Sequence, residues 1–169
     1  MDHQPETTPE ILARIEASPA RRWLAVGMLW LLAVLLLGTA IQSPPTDRLL
    51  LLFLAGVGIV AILMAVALYR ATARSLVLTR DALWEDGGDL VARMDNIRSV
   101  DRGFMAFKPS NGFVLTLTKP EARAWRPGLW WRLGKRVGVG GVTPGSQAKS
   151  MADLILIALR ERDGQDGRL

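Results

Sequence analysis

The chain has 169 residues, half of them apolar, with 21 Lys and Arg against 16 Asp and Glu and a formal net charge of +5. It has no Cys and a single His, His3, which excludes disulfides and thiolate chemistry and leaves the side chain best suited to proton transfer near neutral pH in an N-terminal leader. The basic excess suits an anionic membrane surface, although a nucleic acid attracts the same sign and charge alone does not choose between them.

Residues 1–7 are polar and Pro-containing and read as a flexible leader. Thr8, Pro9 and Glu10 have the order of a helix start, and Ile11, Leu12 and Ile15 give a short helix its apolar side before Ser18 and Pro19 stop it. Such a helix is too short to be stable alone, so it either lies among headgroups or frays. Leader and helix together take residues 1–20.

Two apolar runs follow, 23–41 and 49–69, and neither contains an Asp, Glu, Lys, Arg or His. At about 1.5 Å per residue each helix reaches roughly the ~30 Å of a hydrocarbon core, and each central Leu, Ile, Val or Phe favours insertion by roughly 0.3–0.6 kcal/mol. Both runs are apolar all round, unlike the striped core helix of a soluble domain, and Pro44 and Pro45 turn the chain between them. The expectation is a transmembrane hairpin over 21–72. A signal peptide is the other reading of the first run, because Arg21 and Arg22 precede it and Gly38, Thr39 and Ala40 resemble a cleavage site. The run is longer than the roughly 7–15 apolar residues of a signal, which favours an uncleaved anchor.

Arg14, Arg21 and Arg22 before the hairpin, and Arg70, Arg74 and Arg80 after it, outweigh Arg48 in the turn, so both termini are expected in the cytoplasm. Trp23 and Tyr69 fall where interface anchors belong. The side chains with clear hydrogen-bonding groups inside the spans are Thr39, Trp23, Trp30 and Tyr69, which do not make a transport pathway. Gly58, Ala61 and Ala65 place small residues along the second span, a spacing that permits close helix packing and is also common in spans generally.

After Arg74 the hydrophobic period becomes alternating. Strands are expected at 75–79, 82–85, 90–94, 97–101, 104–108 and 113–118, with a seventh within 129–142. Met151, Leu154, Ile155, Ala158 and Leu159 then fall at helical spacing after the Pro144-Gly145-Ser146 start. The domain takes residues 73–162, and 163–169 is a polar tail. Asp81, Glu85, Asp86, Asp89, Asp95 and Asp101 recur at turns and strand ends, where Asp bonds local backbone, and none is paired with a nucleophile. No catalytic residue, cofactor site or metal site is expected. The glycines of 137–146 lack both the phosphate-loop ending and the dinucleotide spacing and read as a turn-rich strand end.

Two spans followed by Arg74-Ser-Leu-Val-Leu-Thr-Arg-Asp-Ala-Leu-Trp-Glu85 and Met94-Asp-Asn-Ile-Arg-Ser-Val100 resemble the bacterial pleckstrin-homology-like membrane proteins in order of elements. The resemblance implies an α+β membrane protein of the bacterial inner membrane, its hairpin followed by a seven-stranded β-barrel capped by the C-terminal helix. It carries over no functional residue. Inositide-reading members place several bases between their first two strands, whereas the matching turn here offers Arg80 beside Asp81.

Basic charge collects instead at Arg123, Arg126, Arg132, Lys135 and Arg136, interleaved with Trp125, Trp130 and Trp131. Trp with Arg suits lipid headgroups and equally suits a protein interface, while the plain alternative puts some of the Trp in the core and the Arg on a solvated face. The functional expectation is a non-catalytic accessory subunit or assembly factor of a larger membrane complex; some proteins with this kind of domain resemble helpers of respiratory or photosynthetic assembly. The alternative is an anchored module that binds anionic lipid without a fixed protein partner.

Overall fold

The computed structural model describes residues 10–101 and 111–166, so Thr8, Pro9 and the strand expected at 104–108 lie outside the described residues. The first element corrects the sequence reading. In place of a short helix ending at Ser18, Ala13–Ile15 forms a strand, β1. A helix of that length cannot repay its nucleation, whereas a strand here pairs with a neighbour and buries Ile15 completely. Pro19 is correspondingly a start and not a stop: Ser18 is extended and Pro19 opens α1, Pro19–Gln42, where its missing N–H costs no hydrogen bond.

Helix α2, Arg48–Ala71, follows a short turn, and its N-cap Asp47 accepts from the Leu49 N–H. Both helices are long and apolar enough to cross a membrane, with mean hydropathies of 2.5 and 3.0. Only 11% and 17% of their apolar windows are buried. A helix serving as a soluble core would be largely covered.

Past α2 come β2 (Leu76–Leu78), β3 (Ala82–Glu85), β4 (Leu90–Arg93), a 3-10 turn (Met94–Asn96), β5 (Ile97–Asp101), β6 (Phe113–Arg126), β7 (Trp130–Val139) and helix α3 (Gly145–Asp166). β1 pairs antiparallel with β2, Ile15 opposite Leu76. The helical hairpin is therefore an insertion between two paired strands, and the domain reaches back across it to residues assigned from sequence to a leader. α3 likewise runs on into the expected polar tail.

The strands form two antiparallel sheets, β1-β2-β3-β4 and β5-β6-β7, and not the closed seven-stranded barrel that the resemblance to pleckstrin-homology-like proteins implied. Bulges explain why the second sheet bends instead of continuing the ladder. Between Thr116↔Arg136 and Glu121↔Gly134, five steps along β6 are matched by two along β7. The bent hairpin brings β7 against β4, where a side chain does the joining: Arg132 Nη1 donates to the carbonyls of Leu90 (3.0 Å) and Val91 (2.9 Å). On the other side α3 packs against both β1 and β5, and Arg162 Nη1 donates to Met94 O and Ile97 O.

One core fills the space between sheets and helix, including Ile15, Leu83, Phe113, Leu115, Trp130 and Met151. Phe113, Leu115 and Leu117 point into it, as their alternation predicts, and so do Met151, Ile155 and Leu159 of α3. The hairpin base is held against this domain at two places. The Ser18 N–H and Arg21 Nη1 donate to Val142 O and Thr143 O, both at 2.9 Å. The β6–β7 turn abuts α2 so closely that a Cβ on Gly128 would lie 2.5 Å from Leu68 Cδ1.

Candidate contact surface and its internal clamp

Only part of the Trp and Arg cluster forms a surface. Alternation along the bent hairpin divides it, because paired residues share a face. Trp130, opposite Arg126, is 2% exposed and belongs to the core. Arg132, opposite Ala124, is turned inward by its bonds to β4, to Ala122 O (2.7 Å) and to Glu121 (2.8 Å). The other face carries Trp125, 58% exposed, opposite Trp131, whose indole covers Gly138. Arg123, Lys135 and Arg136 are exposed as well, and none has a side-chain hydrogen bond or ion pair among the described residues. Leu133, also exposed, lies near the bend.

Arg126 is committed to a clamp that the sequence reading missed. Glu85, the last residue of β3, is fully buried. Its carboxylate accepts from Arg74 Nη1 (3.0 Å), Arg126 Nε (3.2 Å) and Trp130 Nε1 (3.0 Å). Asp89 extends the cluster, receiving Arg126 Nη2 at 2.7 Å and Arg74 Nη1 at 3.4 Å. Next to it, Arg14 Nε and Asp86 Oδ2 both bond the Ser75 hydroxyl, and Arg14 pairs with Asp86. Arg14 and Ser75 flank the two chain connections to the hairpin, while Arg74 follows directly on α2. The network thus ties the base of the hairpin to the β6–β7 turn.

The signal for Glu85 was present in its parity. Leu83 and Glu85 are two apart on one strand, and Leu83 is a core residue, so the acid had to face inward and find partners. The hydrogen bond that Arg126 donates to Asp89, together with the charge of Glu85, raises the Arg126 pKa above its ordinary value against the opposing effect of burial. A raised pKa on a base means that its stabilisation is complete below the unfolded value and is lost only as pH climbs through the folded one. Arg126 stays charged throughout the neutral range.

In the helices, Gly58, Ala61 and Ala65 all lie on the buried side of α2. A Cβ on Gly58 would approach Leu37 Cγ to 2.7 Å, so the contact it permits is with α1. At the base Arg22 stacks 4.1 Å above the Tyr69 ring and donates to Tyr69 O, and Trp23 meets the same ring at 5.7 Å. Among the described residues no group of His, Asp and Glu is placed to hold a metal ion. The acids weighed for chemistry lie elsewhere or in structural pairs: Asp95 with Arg93, Asp86 with Arg14, Asp89 and Glu85 in the clamp.

Comparison with known proteins gives no match to a family model, to a curated protein or to a solved structure.

Proposed function

We propose that the protein is a membrane-anchored, non-catalytic module, an accessory subunit or assembly factor that presents its domain at a fixed height and orientation on the cytoplasmic face of a membrane complex. The observation that carries this reading is the insertion of the hairpin between paired strands β1 and β2. A domain hung on one flexible linker samples many orientations; this one has two short connections, ion pairs across them and a turn seated on α2. Because β1 and β2 share a sheet, both ends of the hairpin emerge on one side, and the flanking arginines favour the cytoplasm for that side. Removal of the first helix as a signal would take the buried Ile15 with it, which speaks for a permanent anchor.

The opposite end of the domain supports contact with a protein. Leu12 and Ile157 are exposed beside a groove of about 530 Å³ whose lining includes Met94, Leu154 and Ala158, with Arg80 and Arg162 also among its walls. β1 runs from that end towards the hairpin and β2 runs back from the hairpin to it, so the groove lies at the end of the domain away from the bilayer. Gentle-detergent purification of the tagged full-length chain from its native membranes, with mass spectrometry of what accompanies it, tests the proposal. The expected result is one defined membrane complex in near-stoichiometric amount, lost on Ile157→Glu; recovery of the protein alone overturns it.

A further inference from the structure

We infer that the outer face of the distal part of β6 is a docking surface for anionic phospholipid, with Trp125 in the headgroup layer and Arg123 against lipid phosphate. The inference rests on the membrane reading of the hairpin, and it adds a third contact with the bilayer beside the two helices.

Position carries the first part of the argument. The β6–β7 turn touches the end of α2 at Leu68 and at its C-cap Thr72, on either side of Tyr69 and Arg70. Trp125 is three residues before Gly128, roughly 10 Å of extended chain, and an indole adds several ångström to that reach. The headgroup layer on each side of a bilayer is roughly 5–8 Å deep. Trp23 and Tyr69 already mark that level at the hairpin base, and Trp125, more exposed than Trp84, is the exposed aromatic three residues from the turn that abuts α2.

Charge carries the second part. The acids at this end are paired within the protein: Glu16 and Asp86 with Arg14, Glu85 and Asp89 with Arg74 and Arg126, and Glu121 with Arg132. Arg70 and Arg123 are exposed and have no side-chain partner among the described residues. What remains for an outside ligand is therefore positive charge beside an exposed indole, continuous with an apolar hairpin. A protein partner would meet the same residues, but the adjoining surface is the apolar hairpin itself, and lipid is what covers that surface by default. An anionic headgroup satisfies the arginines without leaving the bilayer plane.

The chain lacks Cys, so a single cysteine carries one probe. Full-length Trp125→Cys, labelled with a small fluorophore, is reconstituted in vesicles of phosphatidylcholine alone or mixed equally with phosphatidylglycerol, and quenching by aqueous iodide and by brominated lipid is read. Leu31→Cys, on the exposed side of α1, and Arg160→Cys, on α3, are the references, and Arg123→Cys is a second probe of the same face. We expect positions 125 and 123 in mixed vesicles to be severalfold less open to iodide than position 160, quenched by brominated lipid, and less protected in phosphatidylcholine alone. Iodide access at 125 and 123 equal to that at 160, with 31 protected by lipid, overturns the docking surface and leaves the hairpin reading intact. Iodide access at 31 overturns the membrane reading itself, and equal protection at 125 in both vesicles overturns the anionic preference.

Discussion

The hairpin and the domain hold themselves together by different means. In the domain, large side chains from both sheets and α3 meet in one core, with Phe113, Trp130, Leu83 and Met151 all buried. In the hairpin the buried cluster is small, Val26 with Ala65 and Leu68, while Leu24, Leu31, Leu52, Phe53 and Leu63 face outward. Water outside the domain rewards apolar burial, at roughly 25 cal/mol per Å². Around a hairpin in lipid the surroundings are as apolar as the side chains, so close approach of the helices must supply the attraction. Small residues at Gly58, Ala61 and Ala65 are thus to the hairpin what Phe113 and Trp130 are to the domain.

The strongest way to break the comparison is at the clamp, which belongs to both parts. Glu85→Ala leaves Arg74, Arg126 and the Trp130 N–H facing the space of a fully buried carboxylate. Loss of one member of a buried ion pair costs about 3–5 kcal/mol, lowered here towards the small end because both arginines are partly open to water. Thermal unfolding followed by near-ultraviolet circular dichroism in detergent should show the domain strongly destabilised, with far-ultraviolet helix signal from the hairpin retained. A midpoint equal to that of the parent protein would mean that the clamp holds nothing.

How much of this was legible beforehand depends on the range of the interaction. The two long helices, four of the strand positions before 113 and the apolar stripe of α3 follow from local period and composition, and the structure has them where those signals lie. Ile15 could not announce its strand, because the partner Leu76 is separated from it by the entire hairpin. The same distance hid the clamp. Arg126 and Arg132 look like free surface charges until the bulges of β6 swing them over Glu85 and β4. Trp125 and Trp130 are similar in sequence context, and only the pairing register assigns one to the outside and the other to the core.

A smaller effect, confined to the hairpin, comes from Gly58→Leu. The added side chain would meet Leu37 and Leu36 of α1 at distances that force the helices apart. Overpacking costs about 1–3 kcal/mol in well-packed cores, and here the expected response is separation of the helices. Paired spin labels at Val34 and Ile59, both exposed, should report a longer distance in bicelles, while the unfolding midpoint of the domain stays put. An unchanged distance would mean that the two helices are held only by their turn and their base.

The smallest expected effect sharpens the distinction between a glycine that makes room and one that permits a backbone angle. Gly134 lies at the bend of β7 with φ +60, and a Cβ built there meets nothing within 4 Å. Gly134→Ala therefore costs only the left-handed conformation, about 1 kcal/mol, with no steric term added. Asn tolerates that region better than Ala, so Gly134→Asn should recover part of the loss in denaturant unfolding of the domain. If Ala and Asn destabilise equally, the bend is fixed by Arg132 bridging to β4 and not by the backbone of residue 134. Arg132→Lys, which keeps the charge but loses the planar fork that holds Ala122 O through Nε and the β4 carbonyls through Nη1, would then be the more damaging change.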